Sequence, residues 1–438
     1  MSIDTPPSRT GVPTGTEPPP AEPADSNLVG PDGPGVREAV KTLRANADFR
    51  RMWIGQAISE LGSSISVLAF PLLALAITGS SVDAGLIATV GFLASLLGQI
   101  PAGHLADTMD KRRLLIASDL VRAGCLFAVT AMVLTGWYRN EAMMGLTALN
   151  SVAYALTGPS QISALRTVVS DRELAEASAL MQGRAYVIQL GAPTIGGLLF
   201  AAGRALPFVT DGASFLLSAR FTARIEASLA PARGTDRRRF AISFARGWTT
   251  LWDTRVLRWL TLFGTSTNLT VSVLMYSVLL GNGASPQAAR SLGITLTVAG
   301  IAGLLGSVAG PLVQRRLDLH QVLIASCLVR TLAVVPAVLV DGLLTKSLAM
   351  IVVVFTSPIA RAAVSTAQMM VVPREILGSV SGATGLLATC AQPLAPLLAG
   401  ALLQLTTASV TFTALGVAFA LMAVGVSLPP SLRIRAAG

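Results

Sequence analysis

Long apolar runs recur along this chain, and short polar segments that carry most of the charged residues separate them. Runs of about 18 residues or more can cross the hydrocarbon core of a bilayer as α-helices, since each helical residue rises about 1.5 Å. The pattern predicts twelve membrane-spanning helices. Their expected limits are 52–78, 83–105, 114–136, 142–165, 175–202, 206–226, 257–281, 287–312, 320–340, 346–370, 376–403 and 408–428.

The spacing of these runs divides the chain into two halves. We predict an N-terminal six-helix bundle over residues 48–227 and a C-terminal six-helix bundle over residues 257–428. A central loop, residues 228–256, connects them, and residues 429–438 form a tail. Residues 1–35 hold nine of the 24 prolines, among Gly, Ser and Thr, so they are predicted to be a disordered tail.

Composition and charge support a membrane protein. The chain is 52% hydrophobic and 13% charged, whereas soluble domains carry about 25% charged residues. Its net charge of +10 does not point to a nucleic acid, because 24 of its 33 Lys and Arg residues lie in the tails, in the loops that follow even-numbered spans, or in the span ends beside them. Only four lie in the opposite loops or in the span ends beside those. This asymmetry predicts that both termini and the central loop face the cytoplasm.

Motifs for several enzyme classes are missing from the sequence. It has no G-x-x-x-x-G-K-[ST], G-x-S-x-G or H-E-x-x-H pattern, and it has only two histidines. ATP hydrolysis, a hydrolase triad of this kind and a histidine-based metal site are therefore not expected. We expect neither an enzyme nor a bound cofactor.

One segment occurs twice. RRLLIASDLVRAG, which begins at Arg112, is repeated 208 residues later as VLIASCLVRT, with Cys327 in place of Asp119 and with Arg330 in place of Arg122. A second pair, TGPSQ from residue 157 and TSPIA from residue 356, supports this register. Two parallel repeats of six spans predict a central cavity between the halves, as in transporters whose halves rock about a site near the midplane.

The loop GHLADTMDKRR, residues 103–113, resembles the signature loop of the major facilitator superfamily between spans two and three. The positions that carry this resemblance include Gly103, Asp107, Arg112 and Arg113. It implies a conformational latch, in which Asp107 lies near the start of span eleven and the two arginines pair with it. The alternative is that these charges only set the topology.

Other segments indicate one branch of that superfamily. FPLLALAITGS, SDRELAEASALMQG and DGASFLLSA are similar to drug and siderophore exporters of the macrolide-efflux and enterobactin-exporter type. GAPTIGG resembles the core of an antiporter motif, formed here by Gly191, Pro193, Gly196 and Gly197. The resemblance implies export coupled to protons. Alternatively, these glycines only allow close helix packing.

Charged residues inside the predicted spans are candidates for proton coupling or substrate binding, because such residues are costly in a bilayer. Asp119 and Arg122 lie three residues apart, on one helix face. Glu60 lies in span one, one turn before Ser63, where related exporters carry an acid. Each candidate could instead be structural, and we expect Asp211 to be so. The candidates are Glu60, Asp119, Arg122, Arg184 and Arg361.

Together these patterns predict a secondary active transporter. It would export small amphipathic molecules, such as an antibiotic, a drug or a siderophore, by proton antiport with alternating access. Its partners would be that small-molecule substrate, protons and the lipid bilayer. We expect a monomer in the cytoplasmic membrane of a bacterium. The alternatives are an importer or a lipid flippase of the same fold, or a membrane receptor that transports nothing.

Overall fold

A computed structural model of the chain describes residues 42–43, 45–170, 173–229, 248–373 and 376–427, with only the backbone described at Gly103, His104 and Asp107. The predicted tails and most of the predicted central loop lie outside these residues. The described part holds thirteen helices of twelve residues or more. They are α1 (Ala47–Thr78), α2 (Ser81–Thr108), α3 (Lys111–Thr135), α4 (Asn140–Val168), α5 (Leu174–Ala202), α6 (Leu206–Ala223), α7 (Arg255–Leu280), α8 (Pro286–Gln314), α9 (Leu319–Leu339), α10 (Leu343–Val371), α11 (Leu377–Cys390), α12 (Leu394–Leu405) and α13 (Ala408–Ser427).

Ten segments of the described chain are long and apolar enough to cross a membrane, and the pair α11 and α12 counts as one of them. The prediction of an all-helical protein with many spans is therefore confirmed. The helices α4 and α6 are not among the ten, although each matches a predicted span. The count of twelve spans stays a prediction.

The predicted span 376–403 is not one continuous helix. It is interrupted at residues 391–393, between α11 and α12. The interruption ends at Pro393, and Pro396 follows one turn later. Proline lacks the backbone N–H that would continue the ladder of helical hydrogen bonds, and its ring clashes with the preceding turn. Apolar length alone did not show this break.

Side-chain caps fix where several helices begin. The Asn46 side chain accepts from two backbone amides at the start of α1, and Ser80 caps α2 in the same way. Asp110 accepts from the amides of Arg112 and Arg113 and so begins α3. Between α1 and α2, Gly79 adopts a φ of 67°, which favours glycine and reverses the chain within two residues.

The bundle has two ends, which we name by what lies there. The tail side is the end where α1 begins and α6 finishes. Asp48 in the first turn of α1 accepts from the amides of Glu226 and Ala227, which follow α6. The far side is the opposite end, where α1 finishes. There α2 begins, and the amide of Ser81 donates to Gln404 at the end of α12.

The two halves repeat the same packing. In the first half, α2 packs against α4, and α3 packs against α4 and α6. In the second half, α8 packs against α10, and α9 packs against α10 and α13. Each helix of the first group is matched by the helix six spans later, as a parallel repeat requires.

The buried apolar clusters show where the halves join. The largest cluster combines Leu73 and Phe208 of the first half with Leu274, Leu292 and Phe412 of the second. The smaller clusters near the tail side each belong to one half. One contains residues between 43 and 229, and two others contain residues between 251 and 426. The apolar core of the two halves is thus shared mainly towards the far side.

Two helix pairs make most of the contact between the halves, namely α5 with α8 and α2 with α12, and α7 adds smaller contacts with α1 and α2. Gly197 of α5 faces the carbonyl of Ala289 on α8. Gly293 of α8 faces the carbonyl of Pro193, and a Cβ built there would lie 2.6 Å from that oxygen. The absence of side chains at these two glycines is what allows α5 and α8 to approach closely.

Candidate transport site

Arg184 of α5 is held by a row of acceptors along α1. Its Nη2 lies 3.1 Å from Oε2 of Glu60 and donates to the side chain of Gln56 at 3.2 Å. Its Nη1 donates to the carbonyl of Trp53 at 3.1 Å. The arginine side chain is 9% exposed, whereas that of Glu60 is 34% exposed. Glu60 therefore neutralises a buried cation and is still accessible from outside the protein.

The same helix, α5, makes the far-side contact with α8. The hydroxyl of Thr194 lies 2.7 Å from that of Thr297, within a hydrogen bond, and Thr297 donates to the carbonyl of Leu190 at 2.8 Å. These bonds lie about two to three turns further along α5 than Arg184. The ion pair to α1 and the contact with the second half therefore belong to one helix.

Arg122 of α3 is buried, 5% exposed, among four helices of the first half. Its Nη2 donates to the hydroxyl of Ser63 on α1 at 2.9 Å, and its Nε donates to Asn150 on α4 at 3.4 Å. Its guanidinium carbon lies 3.9 Å from the centre of the Phe215 ring on α6 and 5.0 Å from that of Tyr154 on α4. Aromatic faces stabilise a cation in this position.

Two buried carboxylates adjoin this arginine. Asp119 is 5% exposed and Asp211 is 2% exposed. Both interact electrostatically with Arg122, although neither forms an ion pair with it within 4.0 Å among the described residues. The hydroxyl of Ser214 donates to Oδ1 of Asp211 at 3.3 Å, and Ser218 lies beside Asp119. Asp119 and Arg122 thus belong to a network with other helices and are not an isolated pair.

Asp211 lies at the same level of the bundle as Arg122. It precedes the end of α6 by twelve residues (211 to 223), and Arg122 follows the start of α3 by eleven (111 to 122). Because α6 is short and antiparallel to α3, the two side chains reach the same level. Gly62 of α1 permits this, since a Cβ there would lie 2.5 Å from Oδ1 of Asp211.

The second half has an equivalent arginine in a different environment. Arg330 of α9 is fully buried, and its Nε donates to Thr356 of α10 at 3.0 Å. Its guanidinium carbon lies 5.8 Å from the ring centre of Phe419 on α13. Its Nη1 has no hydrogen-bond partner among the described residues. No carboxylate of the described chain pairs with it within 4.0 Å.

The predicted latch is only partly described. The side chain of Asp107 lies outside the described residues, and Gly103 is described only as backbone of α2, so the latch pairing stays a prediction. Arg112 donates from Nη2 to the carbonyl of Ala227, which follows α6 in the same half. Arg113 is exposed, and its backbone amide is capped by Asp110.

The antiporter-like motif lies on α5 where this helix meets two neighbours. Gly196 faces α1, where a Cβ would lie 3.0 Å from the carbonyl oxygen of Ile65. Gly197 and the carbonyl of Pro193 face α8. A Cβ built on Gly191 would meet no described atom within 4 Å. Three of the four motif residues therefore allow close contacts, and one lies beside open space.

Arg361, the remaining candidate, and several uncharged polar residues of the second half are more scattered. Arg361 on α10 is exposed and forms no ion pair with another described residue. Asn268 of α7 donates to the carbonyl of Ala388 on α11 at 3.3 Å. Tyr276 of α7 is buried, and its ring packs edge-on against Phe92 of α2. Gln392 lies in the break between α11 and α12. The described residues contain no cluster of three or more metal-ligating side chains.

Sequence reasoning missed several partners of these groups. Gln56 and the Trp53 carbonyl complete the site of Arg184, yet neither carries a charge or a motif. Ser63 was noted only as the position at which related exporters carry an acid. In the structure its hydroxyl accepts a hydrogen bond from Arg122. The signal that could have found these residues is spacing, because residues 53, 56, 60 and 63 recur every three or four positions along one face of α1.

Comparisons with known proteins agree with this architecture. A sequence profile of the Major Facilitator Superfamily matches residues 52–391. The chain belongs to this superfamily. The resemblance seen in the loop at residues 103–113 is thereby confirmed, and membership of a transporter superfamily agrees with the expectation that the protein is not an enzyme.

Its relatives include named efflux proteins. The chain is 28% identical over 393 residues to the multidrug efflux pump Tap of Mycolicibacterium fortuitum, covering 85% of this chain and 93% of the relative. It is 24% identical over 157 residues to macrolide efflux protein A of Streptococcus pyogenes, covering 35% of this chain and 38% of that protein. The names of these two relatives thus agree with the exporter branch that the sequence motifs indicated.

Solved structures of low sequence identity share the fold. A bacterial homologue of the iron transporter ferroportin, in an inward-facing state, superposes with a TM-score of 0.70 at 16% identity. The match covers 86% of this chain and 97% of that one. At this identity, the comparison establishes the helical arrangement and nothing about the substrate.

Proposed function

We propose that this protein exports small amphipathic molecules from a bacterial cell, in exchange for protons, by alternating access. The observation that carries this proposal is the pair formed by Glu60 and Arg184. It places a partly exposed carboxylate on a buried arginine of α5, and α5 is also the helix that holds the far-side contact with the second half. The names of the two efflux relatives support export of drug-like molecules.

In this proposal the chain forms twelve spans with both termini in the cytoplasm. The 24-to-4 distribution of Lys and Arg supports this orientation, and it places the tail side in the cytoplasm. The contacts between the halves cluster on the far side. On the tail-side part of α5 and α11, a Cβ built on Gly183, Gly378, Gly382 or Gly385 would meet no described atom within 4 Å. This supports a cleft that opens to the cytoplasm.

Proton coupling would act through the Glu60 carboxylate. When Glu60 binds a proton, it can no longer neutralise Arg184, and the attachment of α5 to α1 weakens. Since α5 carries the hydrogen bonds of Thr194 to α8, this change favours one arrangement of the halves over the other. A ligand or proton shifts such an equilibrium only by its different affinity for the two states. Asp119, Arg122 and Arg361 remain further candidates for coupling or substrate contact.

A transport assay tests this proposal. Everted membrane vesicles containing the protein would be supplied with a proton gradient, and uptake of ethidium and of a macrolide would be measured. We expect gradient-driven transport by the natural chain, and a loss of at least about tenfold in Glu60→Gln, because the cycle requires different affinities for the proton in the two states. Glu141→Gln, an exposed acid at the start of α4, is the matched control and should transport normally.

The possible results separate the alternatives. Gradient-driven export that persists in Glu60→Gln would refute the coupling role of this residue. Transport in the opposite direction would favour an importer on the same fold. If the natural chain moves neither probe, the proposed export of drug-like molecules fails, and a receptor or a lipid flippase becomes the better hypothesis.

A further inference from the structure

The charges buried around Arg122 do not balance. Asp119, Arg122 and Asp211 are at most 5% exposed, and they are enclosed by α1, α3, α4 and α6. A buried ion without a nearby opposite charge is strongly disfavoured in a membrane protein. The number of carboxylates around this arginine therefore constrains how many of them can be ionised together.

The groups that face this cluster can be counted helix by helix. Besides its two charged residues, α3 contributes Cys125, and α4 contributes the phenol of Tyr154, both of which are neutral in their usual state. On α6 the only acid is Asp211. On α1, Ser63 and Ser66 contribute hydroxyls, and Glu60 is already paired with Arg184. Two carboxylates therefore share one guanidinium.

The geometry keeps this cluster together. Asp119 and Asp211 interact electrostatically with each other as well as with Arg122. Phe215, one turn after Asp211, stacks on the guanidinium at 3.9 Å. On α6, Ser214 donates a hydrogen bond to Asp211, and Ser218 lies beside Asp119. Two carboxylates that share a site cannot both ionise easily, because each opposes the charge of the other.

We propose that Asp119 and Asp211 hold a single proton between them, while Arg122 balances the charge of the remaining carboxylate. The ligand of this site is a proton, and the site is separate from Glu60 by position and by partner. With one proton bound, the cluster is neutral. A protonated carboxyl can also donate a hydrogen bond to the other carboxylate or to a neighbouring serine.

The second half provides an internal comparison. Phe419 is the aromatic neighbour of Arg330 at 5.8 Å, and Phe215 is that of Arg122 at 3.9 Å. The residue four positions before each ring is Leu415 in the second half and Asp211 in the first. Cys327 stands at the place of Asp119. The second half therefore lacks a carboxylate at both equivalent positions, whereas the first half has one at each. A site in which two carboxylates share one proton requires both acids together.

Infrared spectroscopy of the purified protein in lipid nanodiscs tests this inference without any substrate. A protonated carboxylic acid has a C=O stretch distinct from that of a carboxylate, and this stretch shifts in deuterated water. We expect one such buried group at neutral pH. Asp119→Asn and Asp211→Asn should each abolish this band. In each variant the remaining carboxylate and Arg122 balance each other, so the cluster is neutral without a bound proton. Arg122→Gln should double the band, because both acids then need a proton.

Controls make the assignment specific. Glu60→Gln should leave the band unchanged, which separates this proton from the one in the proposed transport cycle. Elution as a single species would show that each variant is folded. If a variant does not fold, the spectrum of the natural chain still tests the proposal. It must show the band of a protonated carboxylic acid at neutral pH, and this band must disappear in strongly alkaline buffer. Absence of the band, or its survival in either folded asparagine variant, would overturn the proposal.

Discussion

Arg122 and Arg330 occupy the same place in the two halves of the molecule. Each lies eleven residues after the first residue of its helix, and each lies near a phenylalanine of the last helix of its half. Two buried acids lie beside Arg122. This arginine also donates hydrogen bonds to a side-chain amide and to a hydroxyl. Arg330 has only hydroxyl partners and one nitrogen without a partner among the described residues.

This difference suggests a division of labour between the halves. The first half also contains the ion pair of Glu60 and Arg184, so each of its two buried arginines has at least one acid beside it. In the second half, Arg330 ties α9 to α10 by hydrogen bonds that do not change with pH in the neutral range. The two similarly packed halves thus differ in their buried charges, because the first contains buried acids and the described part of the second contains a buried arginine without one.

Replacing each arginine in turn should give the largest difference between the two halves. Arg122→Met leaves two buried acids, one of them ionised under our proposal, without a counter-charge, and we expect it to lower the free energy of unfolding by about 3–5 kcal/mol. Arg330→Met removes a buried cation that lacks a carboxylate, so its cost should be within about 1 kcal/mol. Denaturant titration of both variants in the same detergent measures the difference.

The pH dependence of the first variant follows from the same argument. Without Arg122, the acids can stay buried only when protonated, so the destabilisation should grow as the pH rises. Arg330→Met should show no such dependence, because no carboxylate of the described chain pairs with it. Equal losses in the two variants, with equal pH dependence, would show that the acids do not distinguish the halves.

A smaller effect is expected at the aromatic neighbours. Phe215 and Phe419 are both fully buried, but the guanidinium lies 3.9 Å from the first ring and 5.8 Å from the second. Replacement by Leu removes a similar apolar area in each case. Phe215→Leu should therefore cost about 0.5–2 kcal/mol more than Phe419→Leu, the range for a cation over an aromatic face. Thermal melting of the pair gives the comparison, and a larger loss at Phe419 would contradict it.

The sequence predicted the helical class and the repeat because these depend on long patterns. Apolar length set the spans, and the echo of Asp119 by Cys327 gave the register between the halves. It could not predict the break at residues 391–393, since a proline within an apolar run is also tolerated inside helices. Pro71, Pro101 and Pro159 lie inside continuous helices of the same protein.

The partners of the candidate residues were less accessible to sequence reasoning. Asp119 and Arg122 were recognised because charges stand out in apolar segments. Their connection to Asp211 depends on the length of α6 and on the missing side chain at Gly62, neither of which sequence spacing defines. The pairing of Glu60 with Arg184 likewise depends on how α1 and α5 cross.

The smallest expected effect comes from giving the second half one acid. Cys327 is fully buried one turn before Arg330, as Asp119 is one turn before Arg122. Cys327→Asp would offer a carboxylate to a guanidinium that is already desolvated. Only the new carboxylate must lose its water, and it would attract the guanidinium of Arg330 as Asp119 attracts that of Arg122. We expect the free energy of unfolding to rise by less than about 1 kcal/mol.

Cys327→Asn, which has the same shape without the charge, is the matched control and should be less stable than Cys327→Asp. If the aspartate is the less stable of the two, then Arg330 does not need a counter-charge, and the contrast between the halves reflects packing and not charge.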